Sequence, residues 1–122
     1  MLSILIPVYN FNVVQLITDL HNQSVDCNIE FEIICYDDAS QIFYQNQNRE
    51  IASLSHVVYR ELDKNAGRSK IRNQLAEASQ YDNLLFLDCD AALPDDSFIK
   101  KYIIHIENYH VVYGGRIYEA YP

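Results

Sequence analysis

The 122-residue chain predicts an α/β domain, a mainly parallel sheet covered by helices on both faces. Three observations lead there. Short apolar runs rich in β-branched residues alternate with segments of helical periodicity along the chain. The length suffices for one core and not for two. Acidic and amide residues gather where the apolar runs stop, which is where open α/β sheets bind their ligands.

Ser3 to Val8, ending near Pro7 and Asn10, reads as a buried strand. Val13, Leu16, Ile17 and Leu20 then recur on one face of a helix, and Asn10 or Asn12 is suited to cap its start. Phe31 to Tyr36 is a second buried strand and runs into Asp37-Asp38-Ala39-Ser40. Gln41 to Leu54 is expected to be helical despite its Gln and Asn content. His56 to Arg60 is a third, short strand. Ser69 to Ser79 carries Ile71, Leu75 and Ala78 on one helical face, with Gly67 ahead of it in a loop. Leu84 to Leu87 is a continuous apolar strand that ends at Asp88. Pro94-Asp95-Asp96-Ser97 starts a helix, since proline suits the turn and carboxylates favour the positive end of the dipole. Ile99, Ile103 and Ile106 form its buried face, and Val111 to Tyr113 is a last strand, broken by Gly114-Gly115.

Composition narrows the function. Nine basic against 17 acidic residues give a net charge of −8, which disfavours nucleic acid or an anionic membrane surface as the main partner. The same acidity makes a phosphate-bearing ligand costly unless a divalent cation accompanies it. Cys27, Cys35 and Cys89 are odd in number and form no C-x-x-C pair, so neither a zinc site nor a disulfide framework is suggested. That usage fits a reducing compartment, and the expected location is cytoplasmic. No apolar run approaches the ~18 residues of a membrane span, although a longer parent could be tethered.

The strand ends supply the candidate chemistry. Asp37 and Asp38 follow a buried strand, where a carboxylate can accept from a base imide or a ribose hydroxyl; taken alone, the pair is better accounted for by an Asx-turn or a helix cap. Asp88-Cys89-Asp90 also follows an apolar strand. Two carboxylates two residues apart can share a hard cation with a diphosphate, and oxygen ligands suit Mg2+ or Mn2+ rather than zinc. Acids gathered at one sheet edge repel one another unless a cation or ligand offsets the charge. A phospho-receiver domain would need acids directly after the first strand, which instead ends Pro-Val-Tyr-Asn. A nucleotidyltransferase would need a Gly-rich phosphate loop there, and none is present.

These segments, in this order, resemble the family 2 glycosyltransferases of the GT-A fold. Ser3-Ile4-Leu5-Ile6-Pro7-Val8-Tyr9-Asn10 is similar to the family's opening strand and nucleotide loop, and Glu32 to Ser40 to its second strand and Asp-Asp-x-Ser turn. Asn65-Ala66-Gly67-Arg68-Ser69-Lys70-Ile71-Arg72-Asn73 resembles its Asn-x-Gly...Ala-Arg-Asn segment, with Ile71 where Ala is usual. Asp88-Cys89-Asp90 matches its D-x-D, and Gly114-Gly115-Arg116 resembles the strand that follows.

The resemblance implies a three-layer, Rossmann-like α/β/α sheet, with residues 1–122 forming a single nucleotide-sugar-binding domain, the N-terminal part of a longer catalytic domain. It implies that Pro7 and Tyr9 flank the base, that Asp38 binds uracil with Asp37 beside it, and that Arg72 lies near the base or diphosphate. Asp88 would hold the ribose or sugar, and Asp88 and Asp90 the divalent metal, Mn2+ or Mg2+. Lys64 and Arg68 are further cations available near the phosphates. The implied reaction is inverting transfer from a nucleotide sugar, a UDP-sugar on this reading, to a glycan or lipid-linked acceptor. The general base is expected beyond residue 122, since Glu119 sits too near the end. The alternative is a non-catalytic α/β module that binds a nucleotide or a partner protein.

Overall fold

In the computed structural model, which describes residues 1–106, the first apolar run becomes the interior of the sheet. Strand β1 (Leu2–Val8) lies between β2 (Phe31–Asp37) and β4 (Asn83–Phe86), and β3 (Val57–Glu61) flanks β2, giving the order β3-β2-β1-β4. Every pairing is parallel, and Leu2 is in register with Phe31 on one side and Asn83 on the other. A strand covered on both faces needs apolar residues at successive positions. That explains why β1 and β2 read as unbroken runs, whereas β3, at the sheet edge, buries Val57 and leaves Val58 half exposed.

The period of two sorts each strand between two cores. Leu2, Ile4, Ile6 and Val8 of β1 and Phe31, Ile33 and Cys35 of β2 face helices α1 (Val14–Asp26) and α4 (Phe98–Ile106), where they meet Leu16, Ile17, Leu20 and Ile99. Leu5, Ile34 and Tyr36 face the opposite way, onto Ile71 and Leu75 of α3 (Arg68–Ala78). The result is the expected three-layer α/β/α arrangement. Ile103 and Ile106 are only partly buried beside the fully covered Ile99, and Ala78 is exposed at the end of α3 rather than on its inner face. Among the described residues no helix is long and apolar enough to cross a membrane. The strand expected at Val111 to Tyr113, the Gly114-Gly115-Arg116 segment and Glu119 lie outside the described residues.

The segment Gln41 to Leu54 departs from the single helix its sequence predicts. Helix α2 (Ile42–Asn48) gives way to a 3-10 turn over Arg49–Ser53. The reason is Asn48, which is fully buried. Its Oδ1 accepts from the Val13 N–H at 2.9 Å, and its Nδ2 donates to the Phe11 carbonyl at 2.8 Å. One amide thus satisfies two backbone groups of the β1–α1 loop, which would otherwise be lost to hydrogen bonding. Asn12 Oδ1 takes the Val14 N–H at 3.0 Å, so of the two expected caps Asn12 serves the helix start. On α1, Gln23 bridges to α4 in the same manner, donating to the Asp95 carbonyl at 2.8 Å and accepting from the Ile99 N–H at 3.0 Å.

A third polar tie sits at the amino edge of the sheet. The buried Glu32 carboxylate accepts from Ser3 Oγ at 2.6 Å and from the Gln80 N–H at 2.7 Å, fixing the α3–β4 connection beneath β1 and β2. Replacing Asn48 by alanine is predicted to destabilise the fold by about 2–4 kcal/mol, because two buried backbone groups lose their partners. Chemical denaturation checks this, with the exposed Asn46→Ala as the comparison, expected to stay within about 1 kcal/mol of the parent. Equal stability of the two variants would remove the role assigned to Asn48.

Candidate functional site

From β1 the chain moves outward to β2 and β3, then returns to pair β4 with the other side of β1. Loops leaving the carboxyl ends of β1 and β4 therefore diverge, and that divergence opens a crevice. A cleft of about 750 Å³ occupies this position. Pro7, Tyr9 and Phe11 wall it from β1 and its loop, and Asp38 from the end of β2. Asn65, Gly67 and Arg68 wall it from the start of α3, and Asp88, Cys89 and Asp90 from beyond β4. A second hollow of about 360 Å³ lies between α1 and α4, lined by Gln23, Asp26, Asp96 and Lys100 among others, and holds none of the expected site residues.

The loops of the cleft are tied to one another. Asn10 adopts φ 48°, a left-handed conformation that Asn tolerates better than most residues. There its N–H donates to Ser40 Oγ at 2.8 Å while its Oδ1 accepts from the Gln41 N–H at 2.9 Å. Ala39 takes the same region at φ 57° without a polar side chain to compensate. That turn carries the chain from Asp38 to Ser40 and is held from both sides.

The two adjacent aspartates separate in role. Asp37 is fully buried behind the cleft, and its Oδ2 accepts from the Ser40 N–H at 2.9 Å and Gln45 Nε2 at 3.0 Å. Its Oδ1 is buried without a hydrogen-bond partner among the described residues. Asp37 is not among the residues lining the cleft. Asp38 does line it, and its carboxylate accepts the N–H groups of Ala66 and Gly67 while its carbonyl accepts Asn65 Nδ2. A carboxylate offers about four acceptor positions. The two backbone donors therefore orient Asp38 and leave it capacity for a ligand.

Asp88-Cys89-Asp90 occupies a tight turn closed by the Ala91 N–H donating to the Asp88 carbonyl at 3.1 Å. Both aspartates line the cleft, and Arg68 Nη2 donates to Asp88 Oδ1 at 3.4 Å. Arg72, expected near base or diphosphate, instead stacks its guanidinium over the Phe86 ring at 4.5 Å and does not line the cleft. Its neighbour one turn earlier, Arg68, does. Position relative to the first turn of α3 distinguishes them, and the spacing of the segment alone did not. Among the described residues no group of three or more His, Cys, Asp or Glu side chains forms that could hold a metal by itself. Two carboxylates plus ligand oxygens and water are nevertheless the donor set Mg2+ and Mn2+ commonly take with phosphates.

The cysteines bracket this site. Cys35 is fully buried on β2, and burial first, then the neighbouring Asp37 carboxylate, pushes its thiol far up. Cys89, between the two acids, is partly buried, and burial is the chief cause that raises it.

An α/β domain with acids from two strand ends converging on its switch-point cleft is of the class that binds nucleotides at the carboxyl edge of a parallel sheet. The chain belongs to glycosyl transferase family 2, whose sequence profile matches residues 3–121. It is 31% identical to the chondroitin synthase of Escherichia coli in an alignment that takes in 96% of this chain and 17% of that protein, so it spans about a sixth of that relative's length. Among solved structures, it is similar to residues 1-349 of S. aureus TarS in complex with UDP-GlcNAc, with a TM-score of 0.71 at 22% identity, over 89% of this chain and 32% of that one. It also resembles the mannosyltransferase PcManGT from Pyrobaculum calidifontis in complex with GDP-Man and Mn2+. There the TM-score is 0.67 at 17% identity, over 84% of this chain and 31% of that one. At those identities the likeness concerns the fold.

Two outcomes follow from this geometry. Ala39→Gly is predicted to stabilise the chain by about 0.5–1 kcal/mol, the relief of left-handed strain exceeding glycine's added freedom in the unfolded state. A lower unfolding midpoint for Ala39→Gly would contradict the turn. Alkylation mapped by mass spectrometry is expected to leave Cys35 unlabelled in the native chain. Because the Cys89 thiol is raised, its thiolate forms at higher pH, and its rate-versus-pH curve should lie alkaline of that of an unstructured cysteine peptide.

Proposed function

We propose that this domain binds the donor of a metal-dependent, inverting glycosyltransferase, and that the donor is a UDP-sugar. The observation that carries this reading is one cleft holding Pro7, Tyr9 and Asp38 together with Asp88 and Asp90. Tyr9 is about half exposed at the cleft wall and offers a ring face to a planar base. Asp38, held by two backbone donors, accepts the imide N–H of uracil through its remaining lone pairs. Family membership supports the reaction class, and the nucleotide-sugar complexes of TarS and PcManGT support a sugar nucleotide as ligand.

Asp88 and Asp90 would hold the divalent cation, which stabilises negative charge developing on the departing diphosphate. Asp88, which lines the same cleft, is also the candidate contact for ribose or sugar. An acceptor hydroxyl attacks the anomeric carbon in line, with inversion, and a carboxylate base takes its proton. The cleft's described carboxylates, Asp38, Asp88 and Asp90, are all assigned to the donor. We assign the base and the glycan or lipid-linked acceptor site to chain beyond residue 122, with this domain the N-terminal part of a longer catalytic unit. The support is that the chain spans about a sixth of the E. coli chondroitin synthase and about a third of the TarS chain. A cytoplasmic location, where three unpaired cysteines stay reduced, accords with this role.

Titration calorimetry tests the reading without turnover. UDP should bind in the presence of Mn2+, and Asp90→Ala should weaken that binding about ten-fold or more, to near the metal-free value. UDP should also protect Cys89 from alkylation, because that thiol lines the cleft. Absence of UDP binding by the parent chain with Mn2+ present would overturn the assignment. Sugar transfer by the 122-residue chain alone would overturn the division between donor and acceptor parts.

A further inference from the structure

The cleft is unbalanced in charge. Its described lining includes three carboxylates, Asp38, Asp88 and Asp90, and a single cationic side chain, Arg68. Arg68 is the first residue of α3, follows Gly67 at φ 86°, and has no acidic residue near it in the first turn of its own helix. Its guanidinium instead reaches across the cleft to Asp88 Oδ1 at 3.4 Å. The pair is open to solvent, with side-chain exposures of 74% for Arg68 and 38% for Asp88. An exposed pair at that distance is weak and is readily exchanged for a stronger partner.

A divalent cation on Asp88 and Asp90 would compete for the oxygen that Arg68 now holds and would repel the guanidinium. The diphosphate that such a cation accompanies offers the planar guanidinium a doubly accepting partner. Helix geometry keeps the exchange short, because the side chain pivots from a fixed first turn whose free N–H groups also favour an anion. We propose that Arg68 is an exchangeable counter-ion of the acidic pair, holding Asp88 in the absence of donor and transferring to the donor diphosphate once a divalent cation takes its position. This rests on the donor-binding reading above and adds to it a residue that couples metal and nucleotide binding. Arg72, fixed over Phe86, is not available for that part.

The exchange predicts opposite effects of one substitution on two ligands. Arg68→Ala should tighten binding of Mn2+ alone by about three- to ten-fold, because a cation that competes for Asp88 is gone. The same variant should weaken UDP, measured with saturating Mn2+, by about ten-fold, and leave uridine unchanged. Arg68→Lys, which keeps the charge and loses the fork, should fall between the parent and Arg68→Ala for both ligands. Lys70→Ala, on the same helix and outside the cleft lining, controls for loss of one positive charge and should alter neither. Thermal melting of each variant confirms folding, expected because residue 68 is exposed.

Unchanged Mn2+ affinity, or unchanged UDP affinity, in Arg68→Ala overturns the exchange while leaving the donor-binding reading intact. Equal effects on UDP and uridine also overturn it, since the diphosphate would not be the contact. A parent chain that binds no UDP with Mn2+ overturns the donor-binding reading and this inference with it.

Discussion

Asp38 connects the end of β2 to the start of α3. Its carboxylate receives the N–H groups of Ala66 and Gly67, and its carbonyl receives the Asn65 side chain. These contacts add to the Leu62 N–H donating to the Asp37 carbonyl at 2.9 Å and to the packing of Leu62, Ala66, Ile71 and Leu75 in holding the loop ahead of α3 at the sheet's carboxyl edge. The position of Arg68 depends on that loop, and so does the width of the cleft between α3 and the turn at Asp88. The same economy appears at Asn48, whose amide satisfies two backbone groups of the β1–α1 loop, and at Asn10, whose backbone N–H and side-chain oxygen both bond to the loop after β2. A parallel sheet ends in loops that cannot pair with each other as strands do, so side chains must supply the bonds. The cleft is the space left between loops held in this way.

That arrangement sets the electrostatics. Acids that cap or tie loops near a strand end are unavoidable neighbours of any ligand bound there. Asp38 is in the cleft because it holds α3's loop, and Asp88 and Asp90 are there because β4 ends beside β1. In a chain of net charge −8, their repulsion of a phosphate is not offset by a general basic surface. A local cation would offset it: the cleft holds the guanidinium of Arg68, and on the reading proposed above the acidic pair would add a divalent ion. On that proposal the two would compete for Asp88, which is why metal and nucleotide binding are expected to be coupled.

Much of this was legible in the sequence, for identifiable reasons. Strand and helix followed from periodicity, because β1 and β2 are buried on both faces and α1 presents a clear apolar stripe. The switch-point cleft followed from strand-end polarity, and Pro7, Tyr9, Asp38, Asp88 and Asp90 do line one cavity. What escaped was directional. Spacing places Arg68 and Arg72 one turn apart on α3, but only the packing of Phe86 on β4 decides that Arg72 is taken up by a ring and Arg68 is left to the cleft. The break after α2 escaped for a similar reason: Asn48 is an ordinary surface residue by type and becomes buried only because the β1–α1 loop needs both ends of its amide. Gln23 is the same case on α1.

Asp37 and Asp38 show how far such direction matters. They are chemically identical and adjacent, and a strand's alternation turns consecutive side chains to opposite faces. The one that turns inward, Asp37, is committed to Ser40 and Gln45 and has no exposed surface. The one that turns towards α3 reaches the cleft. A substitution at either would disturb the cleft, but by different routes: loss of Asp37 releases the turn that presents Ser40 to Asn10, whereas loss of Asp38 removes the proposed ligand contact and loosens the loop ahead of α3 together. Stability and binding are therefore joined at Asp38 and separable at Asp90, which is exposed and holds no part of the fold among the described contacts. For that reason Asp90, rather than the more deeply set Asp38, is the residue whose removal reports on the ligand alone.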